Sequence, residues 1–272
     1  MIIEVNGGVS VLSAFVNGHG GAASLKMPMQ TEIIESCEDL FPTPGIKKLV
    51  DYIRTKYSIR DYYSINIKSS IPQGRGLKSS SALAISVVFG ILEMNSVKFS
   101  DEEILEIAAK ASIYNNTSVT GAMDDIAMAY YGGYCLTDNR NFRLITREKM
   151  REDYVLICTG SERIESINLK DRDFSSYINF YNGLEHMLSK GMIYETMMLN
   201  GCIFDDGSDN VTIKELLGTG AIFAGRSGKG PAIFAIYKSK EDMETAFNSL
   251  ISDGREVIKS RFNNEGIHIT GT

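Results

Sequence analysis

Apolar residues recur along the chain at two periods, and their order predicts a mixed fold. Ile65, Ile67, Ser69 and Ile71 stand at every second position among polar neighbours, the spacing of a half-buried strand. Ile46, Leu49, Val50 and Ile53 recur at helical spacing, which predicts a helix over 46–57. Val9–Leu12 and Ala14–Val16 read as strand segments among glycines, and Ser24–Ile34 as a further strand. Residues 82–95 are apolar on nearly all sides, the mark of a buried helix. Ser100 and Glu103 have capping-box spacing and open a helix to about Asn115. A short helical run starts at Thr120 and breaks at Gly132-Gly133. Tyr134–Leu136 and Tyr154–Cys158 are predicted strands. Two helices fill 174–204, split near Gly191, and a short one covers 213–217. Ile233–Tyr237 reads as a strand and Glu241–Ile251 as a helix. Strands and helices do not alternate regularly, so the expected class is α+β rather than a doubly wound sheet.

Length and charge narrow the picture. A chain of 272 residues, 43% hydrophobic and 23% charged, can bury a full core as one large domain or two intimate lobes. The net charge of -6, without a basic run, argues against nucleic acid as partner. It does not exclude ATP, because a few local cations and backbone N–H groups suffice to hold phosphates. No basic region precedes an apolar block at Met1–Gly8, so no secretory leader is expected. No apolar run approaches the ~20 residues that span a bilayer. Cys37, Cys135, Cys158 and Cys202 lie far apart without Cys-x-x-Cys spacing, so zinc is not expected; Cys135 and Cys158 are predicted to pack in the core. These features predict a cytoplasmic protein with no membrane partner.

Four constellations carry candidate chemistry. The first is Pro72-Gln73-Gly74-Arg75-Gly76-Leu77-Lys78-Ser79-Ser80-Ser81-Ala82, where a strand runs into glycines and a helix begins at serines. A helix N-terminus offers unpaired N–H groups and a positive dipole end, and glycines let phosphate approach closely. Ser79 and Ser80 add hydroxyls for phosphate or magnesium, and Arg75 and Lys78 add charge. The Walker pattern is absent, and the bland alternative is a glycine turn capped by Ser79. The second is Asp124-Asp125, able to deprotonate a hydroxyl or hold magnesium, or simply an acidic helix start. The third is Gly220–Pro231, containing Gly228, a glycine loop longer than the two residues a tight hairpin needs. The fourth is Asn17-Gly18-His19-Gly20-Gly21-Ala22, a small-residue loop in which His19 either touches substrate or is merely solvated.

Pro72-x-x-x-Gly76-Leu77-x-Ser79-Ser80-Ser81-Ala82 resembles the phosphate loop of the GHMP kinases, the superfamily of galactokinase, homoserine kinase and mevalonate kinase. Ala221-x-x-Ala224-Gly225-x-Ser227-Gly228-x-Gly230-Pro231 resembles its C-terminal glycine motif, in the matching order and separation. Thr120–Gly133, Thr137-Asp138-Asn139 and Gly18–Ala23 are most similar to archaeal shikimate kinases. The resemblance implies an α+β GHMP kinase fold with two lobes, 1–150 and 151–272, and the active site between them. It implies transfer of a phosphoryl group from ATP to the 3-hydroxyl of shikimate, with magnesium, in chorismate and aromatic amino acid synthesis. Residues 72–82 would bind ATP, Ser80 would reach the metal, and His19, Gly20 and Gly228 would touch substrate. The superfamily's catalytic Asp falls on Asp124 when matched to homoserine kinases and on Asp125 when counted as in mevalonate kinases. The N-terminal Lys of mevalonate kinases has no counterpart, since Gly8 stands there; Lys78 is the candidate to replace it. The alternatives are another GHMP kinase, acting on homoserine or mevalonate, or a non-catalytic ligand-binding protein of the same fold.

Overall fold

The computed structural model describes residues 1–159, 172–204, 207, 209–252 and 254–271. The chain opens with an antiparallel pair, β1 (Ile2–Leu12) and β2 (His19–Ser36). α1 (Pro44–Tyr57) leads to β3 (Tyr62–Ser69), which pairs with the far half of β2, Met29–Ser36. Three helices follow: α2 (Ser79–Met94), α3 (Asp101–Tyr114) and α4 (Met123–Tyr131). β4 (Tyr134–Asp138) then pairs with the near half of β2, His19–Ala23, and β5 (Arg143–Glu148) lies outside it. One long strand thus serves two neighbours on the same side.

β6 (Tyr154–Cys158) starts a second sheet, and α5 (Ile178–Ser189), α6 (Ile193–Asn200) and α7 (Asn210–Gly218) precede its next strands. These are β7 (Phe223–Arg226) and β8 (Ile233–Tyr237), followed by α8 (Lys240–Ser252) and β9 (Val257–Arg261). The order is β7-β8-β6-β9, all antiparallel. The last strand, β10 (His268–Gly271), crosses back to pair with β1.

α2 has no polar face, which explains its depth. Ala82, Ala84, Ile85, Val87, Val88, Ile91 and Leu92 are all buried against the first sheet and its neighbouring helices. Each such aliphatic side chain contributes roughly 1.5–3 kcal/mol on burial for the larger types. The same core runs through Ile3 and Val5 of β1 to Val155, Phe234 and Ile236 of the second sheet. This burial holds the start of α2 in a fixed place. Cys135 and Cys158 are buried as predicted, and burial pushes their thiols up to about 12 and about 11. Among the described residues no helix is long and apolar enough to cross a membrane.

Three local expectations change. Ala14–Val16 is a turn, closed by the Gly18 N–H to the Ala14 carbonyl at 3.1 Å, rather than a strand. His19–Ala22 is not a loop but the start of β2, paired with β4. Residues 220–231 are not one glycine loop, because Phe223–Arg226 is a strand that forms a hairpin with β8. β5, β7, β9 and β10 have no counterpart in the sequence-based expectation.

Candidate active site

The glycine–serine stretch joins β3 to α2. Lys78 is the N-cap residue of α2, with φ 71° in the left-handed region, and Ser79 opens the helix. No side chain caps this end, so the alternative of a turn capped by Ser79 does not hold. The Ala82 N–H is bonded to the Lys78 carbonyl at 3.0 Å. The amides of Ser79, Ser80 and Ser81 therefore point out of the helix end, at the positive pole of its dipole. The Ser80 side chain is exposed there, whereas Leu77, Ser81 and Ala82 are buried and can offer a ligand little beyond backbone.

The left-handed turn at Lys78 sends its side chain back across the sheet. Its ammonium donates to Ser10 Oγ at 2.6 Å and pairs with Asp125 Oδ1 at 2.8 Å. The Lys78 and Asp125 side chains are only 10% and 15% exposed, so water screens the pair weakly. Asp125 lies in the first turn of α4, whose N-cap Ala122 is also left-handed, at φ 48°. Gly8 N–H binds the Leu77 carbonyl at 3.2 Å, which ties β1 to the loop just before Lys78.

Asp124, the neighbouring carboxylate, is buried and turned elsewhere. Asn139 Nδ2 donates to its Oδ1 at 2.9 Å, and Asn139 Oδ1 accepts from Thr137 Oγ1 at 2.6 Å. Burial and the charge of Asp125 push the Asp124 carboxyl up to about 7; the Lys78 charge and the Asn139 hydrogen bond work against that rise. Gly20 is what lets the strand pass so close: a Cβ there would lie 2.6 Å from Asp124 Cγ.

The second glycine stretch closes on the first. Ser227 Oγ donates to the Gly76 carbonyl at 3.0 Å and accepts from the Ser10 N–H at 3.2 Å. Ala232 N–H binds the Arg75 carbonyl at 3.2 Å. A Cβ on Gly230 would lie 2.5 Å from the Arg75 carbonyl oxygen and from Gly76 Cα, so the two backbones touch. Gly228 lies over Ser10 and Ser13. Arg226 turns aside to Asp209 at 2.9 Å and the Phe204 carbonyl at 2.6 Å.

The structure therefore gathers residues 74–80, Ser10, Asp124, Asp125, Ser227 and Gly228 in one place. It does not bring His19 to the carboxylates. Successive strand residues face opposite sides, so where Gly20 faces Asp124, His19 faces away. Its Nδ1 lies 2.6 Å from Glu185 Oε1 on α5, which also accepts from Asn17 Nδ2 at 2.8 Å. Asn139, Ser10 and Ser227 had no assigned role from sequence. Asn139 sits in an Asp-Asn-Arg-Asn run that reads as an ordinary turn, and only its register opposite Gly18 reveals its task.

Residues 45–133 match the GHMP kinases N terminal domain. A shikimate kinase of Thermoplasma acidophilum is 35% identical over 97% of this chain and 96% of its own length. One from Pyrococcus abyssi is 27% identical over 89% of this chain and 93% of its own. The crystal structure of the Methanococcus jannaschii mevalonate kinase superposes with a TM-score of 0.75, covering 96% of this chain and 98% of that one, at 14% identity.

Proposed function

The chain belongs to the archaeal shikimate kinases of the GHMP kinase superfamily, and on that premise we propose that it transfers the γ-phosphoryl of ATP to the 3-hydroxyl of shikimate. The observation that carries the reading is the Lys78 bridge, which joins the start of a phosphate-binding helix directly to the Asp124-Asp125 pair. Phosphoryl transfer asks little of a protein beyond positioning and charge stabilisation. The backbone of 74–80 and the first turn of α2 hold the phosphates. Lys78 supplies positive charge where the phosphoryl group passes, in the role left open by Gly8. Asp124 accepts the proton of the attacking hydroxyl, since a carboxyl that titrates near 7 is well matched to that task. Asn139 keeps its carboxylate aimed, and Asp125 holds Lys78 in place.

Magnesium fits this site as a companion of the nucleotide. Ser80 offers an exposed hydroxyl beside the phosphate position, and magnesium commonly takes one or two protein ligands plus phosphates. Among the described residues no cluster of three or more His, Cys, Asp or Glu side chains stands ready to cage an ion. When bound, the ion neutralises charge on the phosphate oxygens. The division into lobes at 150/151, with the site between them, and a cytoplasmic location, where ATP is at hand, belong to the same proposal. Gly20 and Gly228 border the acceptor position in this reading, while His19 acts through α5.

The test is ADP release from purified protein with ATP and shikimate, homoserine or mevalonate offered singly. Turnover with shikimate alone is expected. Turnover with homoserine or mevalonate but not shikimate would make the chain another GHMP kinase. ATP binding without turnover on any of them would favour a ligand-binding protein.

A further inference from the structure

One cation beside the carboxylates has no task in the mechanism above. Arg140 follows Asn139 in the turn between β4 and β5, with its N–H bonded to Asp138 Oδ1 at 3.0 Å. The Asn139 N–H is bonded to the Gly18 carbonyl at 2.8 Å, which fixes this turn against the entry to β2. A Cβ on Gly18 would lie 2.6 Å from Arg140 Nε, so the arginine side chain runs directly across that glycine. A Cβ on Gly20 would meet the Asp124 carboxylate at the same distance. Gly18 precedes β2 in a left-handed conformation, φ 88°, two residues before Gly20. Arg140 and Asp124 therefore pack against glycines two positions apart at the entry to β2.

Lys78 is occupied by Asp125 and Ser10 and Arg226 by Asp209 and Phe204, and Arg75 and Lys229 in the glycine stretches are also engaged. Among the described residues the Arg140 guanidinium has neither a hydrogen bond nor an ion pair, and the residue is exposed to an arriving small molecule.

We propose that Arg140 is the specificity residue that binds the carboxylate of the acceptor. The proposal rests on the shikimate kinase reading of the site. A guanidinium offers two parallel N–H donors to a carboxylate and fixes its plane as well as its place. Shikimate carries its carboxylate on C1 and the reacting hydroxyl on C3, on the same ring. Holding the carboxylate at Arg140 leaves the hydroxyl directed toward Asp124 and the phosphates beyond. The same contact admits hydroxy acids and disfavours neutral polyols of equal size.

The test compares wild type, Arg140→Gln and Arg140→Lys with shikimate and with its neutral methyl ester as acceptors. For Arg140→Gln, kcat/KM for shikimate is expected to fall roughly 10- to 100-fold, the worth of a charged hydrogen-bonded pair. The ester should change little, the KM for ATP should hold, and Arg140→Lys should recover part of the loss. An unchanged thermal midpoint confirms that the variants are folded. Equal losses for acid and ester, or no loss for either, overturn the assignment. If wild type uses homoserine or mevalonate instead, the substrate reading fails, and Arg140 is judged by the same variants on that acid. A wild type that phosphorylates only neutral acceptors, or none of these, overturns both.

Discussion

Asp124 and Asp125 are adjacent in sequence yet meet different partners, because neighbours on a helix point about 100° apart. Asp125 meets Lys78, and Asp124 meets Asn139. Asp124→Asn should keep ATP binding and lose about 10²–10⁴-fold in kcat, the usual share of a general base; quenched-flow or coupled assays measure it. Because the Asp124 carboxyl is raised to about 7, kcat/KM for the acceptor should rise with pH through that value. Asn139→Ala removes a bond that lowers this carboxyl, so its pH–rate profile should move to higher pH, an effect that simple loosening of the turn would not produce. The stability linkage has the opposite sign. The folded state holds a proton that the unfolded chain releases from 3.8 upward, so Asp124's contribution to stability declines between about 4 and about 7. Urea unfolding at several pH values, compared between wild type and Asp124→Asn, reports that difference. The acidic pair was legible as candidate chemistry from the residues themselves. Asn139 was not, since it acts across 15 positions of chain and looks locally like turn material.

At the scale of elements, the start of α2 departs most from ordinary helix chemistry. A lysine occupies a left-handed N-cap position, which strains a side-chain-bearing residue by about 1–2 kcal/mol. Lys78→Gly and Lys78→Ala both remove the Asp125 pair and should both lose turnover. Only glycine relieves the backbone, so Lys78→Gly should be the more stable of the two by about 1 kcal/mol, as read from urea midpoints. The start of α3 is conventional by contrast. Its capping box forms as predicted, with Glu103 N–H on Ser100 Oγ at 3.2 Å and Ser100 N–H on Glu103 Oε2 at 2.8 Å. The helices were legible because burial imposes a strong 3.6-residue period, or in α2 a continuous apolar run. β5, β9 and β10 were not, because they are largely exposed; β9 and β10 also pair with distant strands, while β5 pairs with the adjacent β4. The hairpin of β7 and β8 was hidden because its turn is longer than two residues and its glycines serve both the turn, with Gly228 at φ 56°, and the contact of Gly230 with the first loop.

Across the whole molecule, the two glycine stretches lie 150 residues apart yet share hydrogen bonds: Ser227 to Gly76 spans 151 positions. Gly230→Ala would push a methyl into the Arg75 carbonyl and should weaken ATP binding more than it lowers the thermal midpoint; nucleotide titration and thermal unfolding together separate the two. This coupling was visible in sequence only as two motifs in a familiar order. The β10 strand that returns to β1 was not visible at all, because four short residues carry no periodic signal of their own. The whole arrangement moves the γ-phosphoryl of ATP onto shikimate. The most direct measurement is ADP release on adding shikimate to the purified chain with ATP and magnesium, with the product's phosphorylated position assigned by phosphorus–proton NMR. Stoichiometric ADP and a phosphate ester on the 3-hydroxyl are expected. Shikimate-independent ATP consumption, or phosphorylation of homoserine or mevalonate in its place, would contradict this.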